Sequence, residues 1–172
     1  MMEANIPRLI DAICEGWTKC LPPPYGDGTF SAAVDKQTDC NRFVNFVAER
    51  MGYSGLAGIR ANEMVDHLKG NKSNFLEISM ESAKFYADKG YFVIAAWKNP
   101  DATKSGHVAV VRPGESVSSN KWGVKEPKVP KVANVGPVER CRIDRAANWA
   151  FGEQPIYFVM KAANDGTDKT GK

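Results

Sequence analysis

A cysteine at the start of an apolar helix and a histidine at the start of an apolar strand are the residues of this chain best placed to do chemistry. Cys40 stands in TDCNRFVNFVAERM, where Cys40, Phe43, Val44, Val47 and Met51 recur at helical spacing behind Thr38 or Asp39 as cap. At a helix amino terminus, unsatisfied N–H groups and the positive end of the dipole favour thiolate, the reactive form of the thiol. The competing reading makes Cys40 plain core, because it shares the apolar stripe and cysteine is among the most buried residue types. The two readings are compatible: a helix that presents a nucleophile must still pack its apolar face on a sheet.

The chain has 2 histidines. His67, in MVDHLKG, falls inside a helical segment and reads as a structural or solvent-facing residue. His107 follows the small residues Ser105 and Gly106 and opens HVAVV, where backbone can approach a partner and the side chain can face a cleft. Three further cysteines remain. Cys14 and Cys20 share the first helical segment and face different ways, so a regular helix keeps them apart. Cys20 with Cys141 is a possible disulfide in an oxidising compartment; three reduced thiols are at least as compatible with the sequence. A zinc site from Cys14, Cys20, Cys40 and His107 lacks any supporting spacing, so no metal and no cofactor is expected.

The elements that must position these residues are legible as periods. Ile6, Leu9, Ile10, Ile13 and Trp17 give a first helix over about 5–20, capped by Asn5 with Pro7 in its first turn. PPP at 22–24 ends it, and 25–37 reads as a long loop. The Cys40 helix follows, stopped near Gly52, then short helices over 61–69 and 79–89, each with glycine at or just past its end. YFVIAAW (91–97) and HVAVV (107–111) read as strands joined by a polar turn. A basic loop over 113–128 leads to VPKVANV (129–135), an edge-like strand because of its proline. A last helix over 142–151 and a last strand, IYFVM (156–160), complete the pattern. Helices first and strands afterwards predict an α+β domain with an antiparallel sheet, spanning 1–160, with 161–172 a polar, flexible tail.

Composition bounds the function. With 172 residues, 43% hydrophobic and 25% charged, the chain can bury one core and is not disordered throughout. The net charge of +3 is carried by the second half, around Lys121, Lys125, Lys128, Lys131, Arg140, Arg142 and Arg145. Glu126, Glu139 and Asp144 dilute that stretch, so a solvated surface is preferred to a nucleic-acid interface, and a polyanionic substrate or acidic protein partner would suit the same charges. No apolar run reaches the roughly 18 residues of a membrane span, and the amino terminus lacks the pattern of a secretory signal.

TDCNRFVNFVAERMGY, followed 67 residues on by SGHVAVV, resembles the papain-like cell-wall cysteine amidases of the NlpC and CHAP types, including amidase toxins delivered by type VI secretion systems. The segment GYFVIAAWKNP is similar to the strand that precedes the histidine in those enzymes. The resemblance covers about 25–160. It implies a papain-like fold with the nucleophile helix packed on a central antiparallel sheet, Cys40 as nucleophile and His107 as base. It places the third, orienting residue on the strand after the histidine strand, which makes Asn134 the candidate, with Glu115, Glu126 and Asn120 remaining open because the spacing from His107 is long. It implies that the Cys40 backbone N–H holds the oxyanion with help from the Tyr25 hydroxyl, Tyr53 being the weaker choice; Asp39 borders that site and reads as a helix cap. The implied substrate is an amide of peptidoglycan stem peptides, met in the periplasm or wall after injection or lysis, and an injected toxin implies a cognate immunity protein. A catalytically silent binding protein, or a hydrolase of lipids or host proteins, would carry the same pattern.

Overall fold

The structure, a computed structural model, describes residues 4–21, 23–30, 39–136 and 141–161. Thr38, most of the loop to 37, Glu139, Arg140 and the tail from 162 lie outside the described residues. Five α-helices and eight strands are described: α1 Ile6–Thr18, α2 Cys40–Arg50, α3 Ala61–Gly70, β1 Phe75–Ile78, α4 Met80–Asp88, β2 Val93–Trp97, β3 His107–Val111, β4 Val117–Ser119, β5 Val124–Val129, β6 Lys131–Asn134, β7 Arg142–Ala146, α5 Ala147–Ala150 and β8 Ile156–Met160. The class is α+β. Six strands form one sheet in the order β1-β8-β2-β3-β6-β7, with neighbours antiparallel throughout.

The sheet is covered on both faces, which explains why its central strands read as unbroken apolar runs. Along β2, Ile94 and Ala96 join the cluster built by α1, α2 and α3, whereas Val93 and Ala95 join the one beneath α4 and the β4–β5 hairpin. Along β3, Val108 and Val110 face the first cluster and Ala109 and Val111 the second. Helix α2 lies directly on β3 with Phe43, Val44 and Val47 fully buried. Each such side chain removed from water contributes about 1.5–3 kcal/mol. On the other face α4 offers Ala83 and Ala87, small enough for the helix to sit close against the sheet.

The helix ends follow their local chemistry. The Asn5 side chain accepts a hydrogen bond from Arg8 N–H (2.9 Å) at the start of α1, and the Ser79 hydroxyl accepts from Ser82 N–H (3.1 Å) at the start of α4. Gly90, just beyond α4, adopts φ +87°, and a Cβ there would lie 2.4 Å from the Ile6 backbone nitrogen. Only glycine fits that junction between α4 and α1.

Four elements differ from the sequence expectation. FLEI (75–78) forms β1, an edge strand paired with β8, although its four residues are too few to show a period. The basic stretch 113–128 is not loop throughout: β4, a 3-10 turn at Asn120–Trp122 and β5 make a hairpin of their own. Strand β6 is interior, between β3 and β7, rather than at an edge; Pro130 precedes it and so breaks no ladder bond. Residues 142–151 are not one helix. They form β7 and the single-turn α5, because pairing with β6 takes the backbone of Arg142–Ala146 into the sheet. Both faces of β7 are largely exposed, so its residues give no alternating pattern to read.

Cys20 and Cys141 form a disulfide, which replaces the reading of three reduced thiols. It ties the turn after α1 to the residue before β7, across 121 positions of sequence. Cys14 is exposed and lies outside it. A crosslink closing so long a loop strongly restricts the unfolded chain, and removing such bonds costs about 2–4 kcal/mol. Urea unfolding of Cys141→Ser, and of wild type with reductant, should show a loss of that size; equal midpoints with and without reductant would contradict it.

Candidate active site

His107 is the first residue of β3, and Asn134 is the last of β6. The register pairs Val110 with Ala133 and Val111 with Val132. Continued by one residue, it sets Asn134 across from Ala109, on the same face as His107 and diagonal to it, within reach of side chains. The two side chains meet: His107 Nε2 lies 2.5 Å from Asn134 Oδ1. An amide oxygen only accepts, so Nε2 carries the hydrogen and donates it. A neutral imidazole then presents Nδ1 as a proton acceptor. Asn134 is 2% exposed, and a buried amide oxygen with a charge-capable donor is a costly contact to break.

Phe151 backs the imidazole, with ring centroids 4.9 Å apart. No sequence pattern points to this residue, which falls at the end of the expected last helix; it reaches His107 because the chain turns through α5 after pairing as β7. Lys121, from the hairpin, donates to the Phe151 and Asn148 carbonyls (3.1 and 3.3 Å) and holds that turn in place. Part of the basic stretch is thus structural. Lys128 pairs with Glu126 and Glu81, Lys131 with Asp144, and Arg145 stacks over Trp149.

Gly106 fits the histidine's approach for a steric reason. A Cβ there would fall 2.4 Å from the Trp97 carbonyl oxygen and 2.5 Å from Asn62 Oδ1. The loop therefore passes α3 at backbone distance just before His107.

Cys40 is the first residue of α2 and is 1% exposed. Its helix covers the Val108 and Val110 face of β3, whereas alternation aligns His107 with Ala109 and Val111. Thiol and imidazole can therefore meet only past the amino end of β3. His107 is the first residue there, with no side chain on Gly106 before it.

Asp39 holds the N-cap position of α2 through its backbone, whose carbonyl accepts from Phe43 N–H (3.0 Å), but its side chain makes no cap bond. That corrects the expected capping role. The carboxylate turns instead to Arg42 Nη1 (3.1 Å), and the guanidinium lies over the Phe30 ring and donates to the Thr29 carbonyl (3.3 Å). Through Arg42, Asp39 is thereby linked to Thr29 and Phe30, and these to α2.

The remaining candidates are exposed or have other partners. Tyr25 is 76% exposed. The Tyr53 hydroxyl accepts from Asn71 Nδ2 (2.5 Å), beside the Phe75 ring. Glu126 pairs with Lys128 on β5, Asn120 opens the 3-10 turn, and Glu115 precedes β4. His67 is half-buried on α3, and its Nε2 has no hydrogen-bond partner among the described residues. Among the described residues no group of three or more His, Cys, Asp and Glu could hold a metal ion, and no helix is long and apolar enough to cross a membrane.

Burial raises the Asp39 pKa above the usual carboxylate value, and Arg42 opposes that rise only in part. The folded chain then binds this proton more tightly than the unfolded chain, so the carboxylate costs stability as pH rises through the folded pKa. Asp39→Asn should equal or exceed wild type in urea unfolding at neutral pH, with the gap closing below the ordinary carboxylate range. A variant weaker than wild type at neutral pH and equal in acid would mean that Arg42 outweighs burial.

No protein-family model matches this chain, and no curated protein matches its sequence.

Proposed function

We propose that this protein is a papain-like cysteine amidase or endopeptidase that cuts an amide bond in peptidoglycan stem peptides. The hydrogen bond between His107 Nε2 and Asn134 Oδ1 carries the reading. It fixes the tautomer whose Nδ1 is the proton acceptor, the arrangement a Cys–His–Asn mechanism needs. Cys40 at the start of the helix lying on β3, and the chain order Cys, His, Asn, support it.

In this mechanism Nδ1 of His107 takes the Cys40 proton, or holds a thiolate–imidazolium pair. The sulfur attacks the amide carbonyl carbon, and the backbone N–H of Cys40 stabilises the oxyanion. As the C–N bond breaks, Nδ1 returns the proton to the leaving amine, and an acyl thioester remains on Cys40. Water, deprotonated by Nδ1, hydrolyses the thioester and restores the thiol. Asn134 stays hydrogen-bonded to Nε2 throughout, orienting the ring without adding charge. The substrate lies in the bacterial wall, reached by secretion-system delivery or lysis, and an injected toxin of this kind requires an immunity protein in its producer.

One observation favours a second reading. Cys40 is almost wholly buried, which would suit a catalytically silent binding protein that keeps the fold. Iodoacetamide at mildly acidic pH separates the two, since only an activated thiolate reacts there.

Mass spectrometry of fragments released from purified peptidoglycan tests the activity and identifies the bond. Cys40→Ala should fold and release nothing. His107→Ala should lose roughly a hundred- to ten-thousandfold in turnover, and His67→Ala little beyond stability. Asn134→Ala should lose less than His107→Ala, because orientation goes while the base survives. Full activity in Cys40→Ala would sink the reading.

A further inference from the structure

We propose that Asn41 and Asn62 are positioning residues that brace the amino end of α2 against the loop delivering His107. This rests on the reading of Cys40 and His107 as nucleophile and base. Asn41, the residue after Cys40, donates from Nδ2 to the Ile59 carbonyl (3.0 Å). Three residues on, in the first turn of α3, Asn62 spans the β2–β3 loop. Its Oδ1 accepts from Asn99 N–H (2.9 Å), and its Nδ2 donates to the Lys104 carbonyl (2.6 Å). Gly106 packs on the same carboxamide, at the distance that forbids a Cβ.

The segment 59–62 therefore touches the neighbour of Cys40 at one end and the approach to His107 at the other. It is stiff, because Glu63 and Met64 N–H groups bond back to the Arg60 carbonyl and Met64 and Val65 anchor the start of α3 in the core. The loop is stiff as well. Asn99 Nδ2 donates to the Ser105 carbonyl (3.1 Å), Asn99 Oδ1 accepts from Asp101 N–H (3.0 Å), and Asp101 Oδ1 accepts from both Thr103 N–H (3.0 Å) and its hydroxyl (2.6 Å). A rigid loop has one orientation to fix, and the single Asn62 carboxamide fixes it by holding both of its limbs.

Cys40 and His107 stand on opposite sides of a strand face and can meet only at its end. Their separation is then set by whatever ties α2 to that end, and the two asparagines supply the tie through side-chain amides. An ångström of misplacement in a reacting pair costs on the order of a hundredfold in rate, so breaking the brace should cost turnover far more than folding.

The test uses the full chain with Asn41→Ala, Asn62→Ala, the double variant, Asn62→Asp and Leu68→Ala. Leu68 is buried in α3 and serves as a control for stability alone. Each alanine variant should lower kcat roughly ten- to a hundredfold with KM within about threefold of wild type. Alkylation of Cys40 by iodoacetamide at mildly acidic pH should slow in parallel. The double variant should fall little below the worse single, because both break one connection. Asn62→Asp, which keeps the acceptor for Asn99 N–H and loses the donor to Lys104, should lie between. Wild-type kcat in Asn62→Ala, or an equal loss in Leu68→Ala, overturns the brace. Amide hydrogen exchange at Gly106 and His107 provides a readout independent of hydrolysis. It should quicken in Asn62→Ala and stay unchanged in Leu68→Ala, and no change in Asn62→Ala overturns the brace. Wild type that neither hydrolyses peptidoglycan nor alkylates at Cys40 removes the functional reading, with exchange then deciding the brace by itself.

Discussion

The contact between His107 and Asn134 constrains much of the surrounding structure, because it demands that two strands keep one register at one end of the sheet. Slipping β6 by one residue would turn Asn134 to the helical face and put Ala133 where the amide now lies. The register is held by the apolar residues on both faces: Ala133 packs beneath the first three helices and Val132 beneath the hairpin, so a slip would exchange two buried neighbourhoods at once. A polar contact of this kind is thus secured by the apolar packing of the one and two residues before it.

The layers on either side have different tasks. On one face α1, α2 and α3 build the larger cluster and carry Cys40 and the asparagines around it. On the other, α4, the hairpin and α5 bury the second cluster and bring Phe151 onto the imidazole, with Lys121 pinning the turn that carries it. The disulfide joins the turn after α1 to the start of β7, and Cys20 Sγ lies 3.7 Å from the Gly136 carbonyl oxygen, two residues beyond Asn134. The residues just past β6 therefore pack against the disulfide, while β6 itself is paired in the sheet.

Electrostatics around Cys40 are set by burial more than by charge count. Asp39 sits next to the helix start, where a carboxylate would normally be favoured, yet desolvation raises its pKa and its side chain turns to Arg42. The guanidinium of that pair lies over Phe30 and ties Thr29 to α2. The basic stretch of the second half is likewise spread over the hairpin, β6 and β7, with several of its members spent on carbonyls and surface carboxylates. Such exposed pairs stabilise little individually.

The sequence alone determined the long helices, the strands β2, β3 and β8, and the placement of Cys40 and His107 at the starts of their elements. These follow from period and capping, which act over one or two turns of chain. Through the resemblance it also offered Asn134 as the residue to orient His107, with Glu115, Glu126 and Asn120 left open. Tertiary structure decided the rest. β1, β7 and the hairpin are short or exposed on both faces, so pairing and not period makes them strands. β6 became interior only because β7 returned to cover it. The choice of Cys20 with Cys141, the seat of Phe151 and the reach of Asn62 across the β2–β3 loop all depend on segments 37 to 121 residues apart. No local pattern encodes which distant carbonyl or ring a side chain will meet, because that is fixed only when the layers pack.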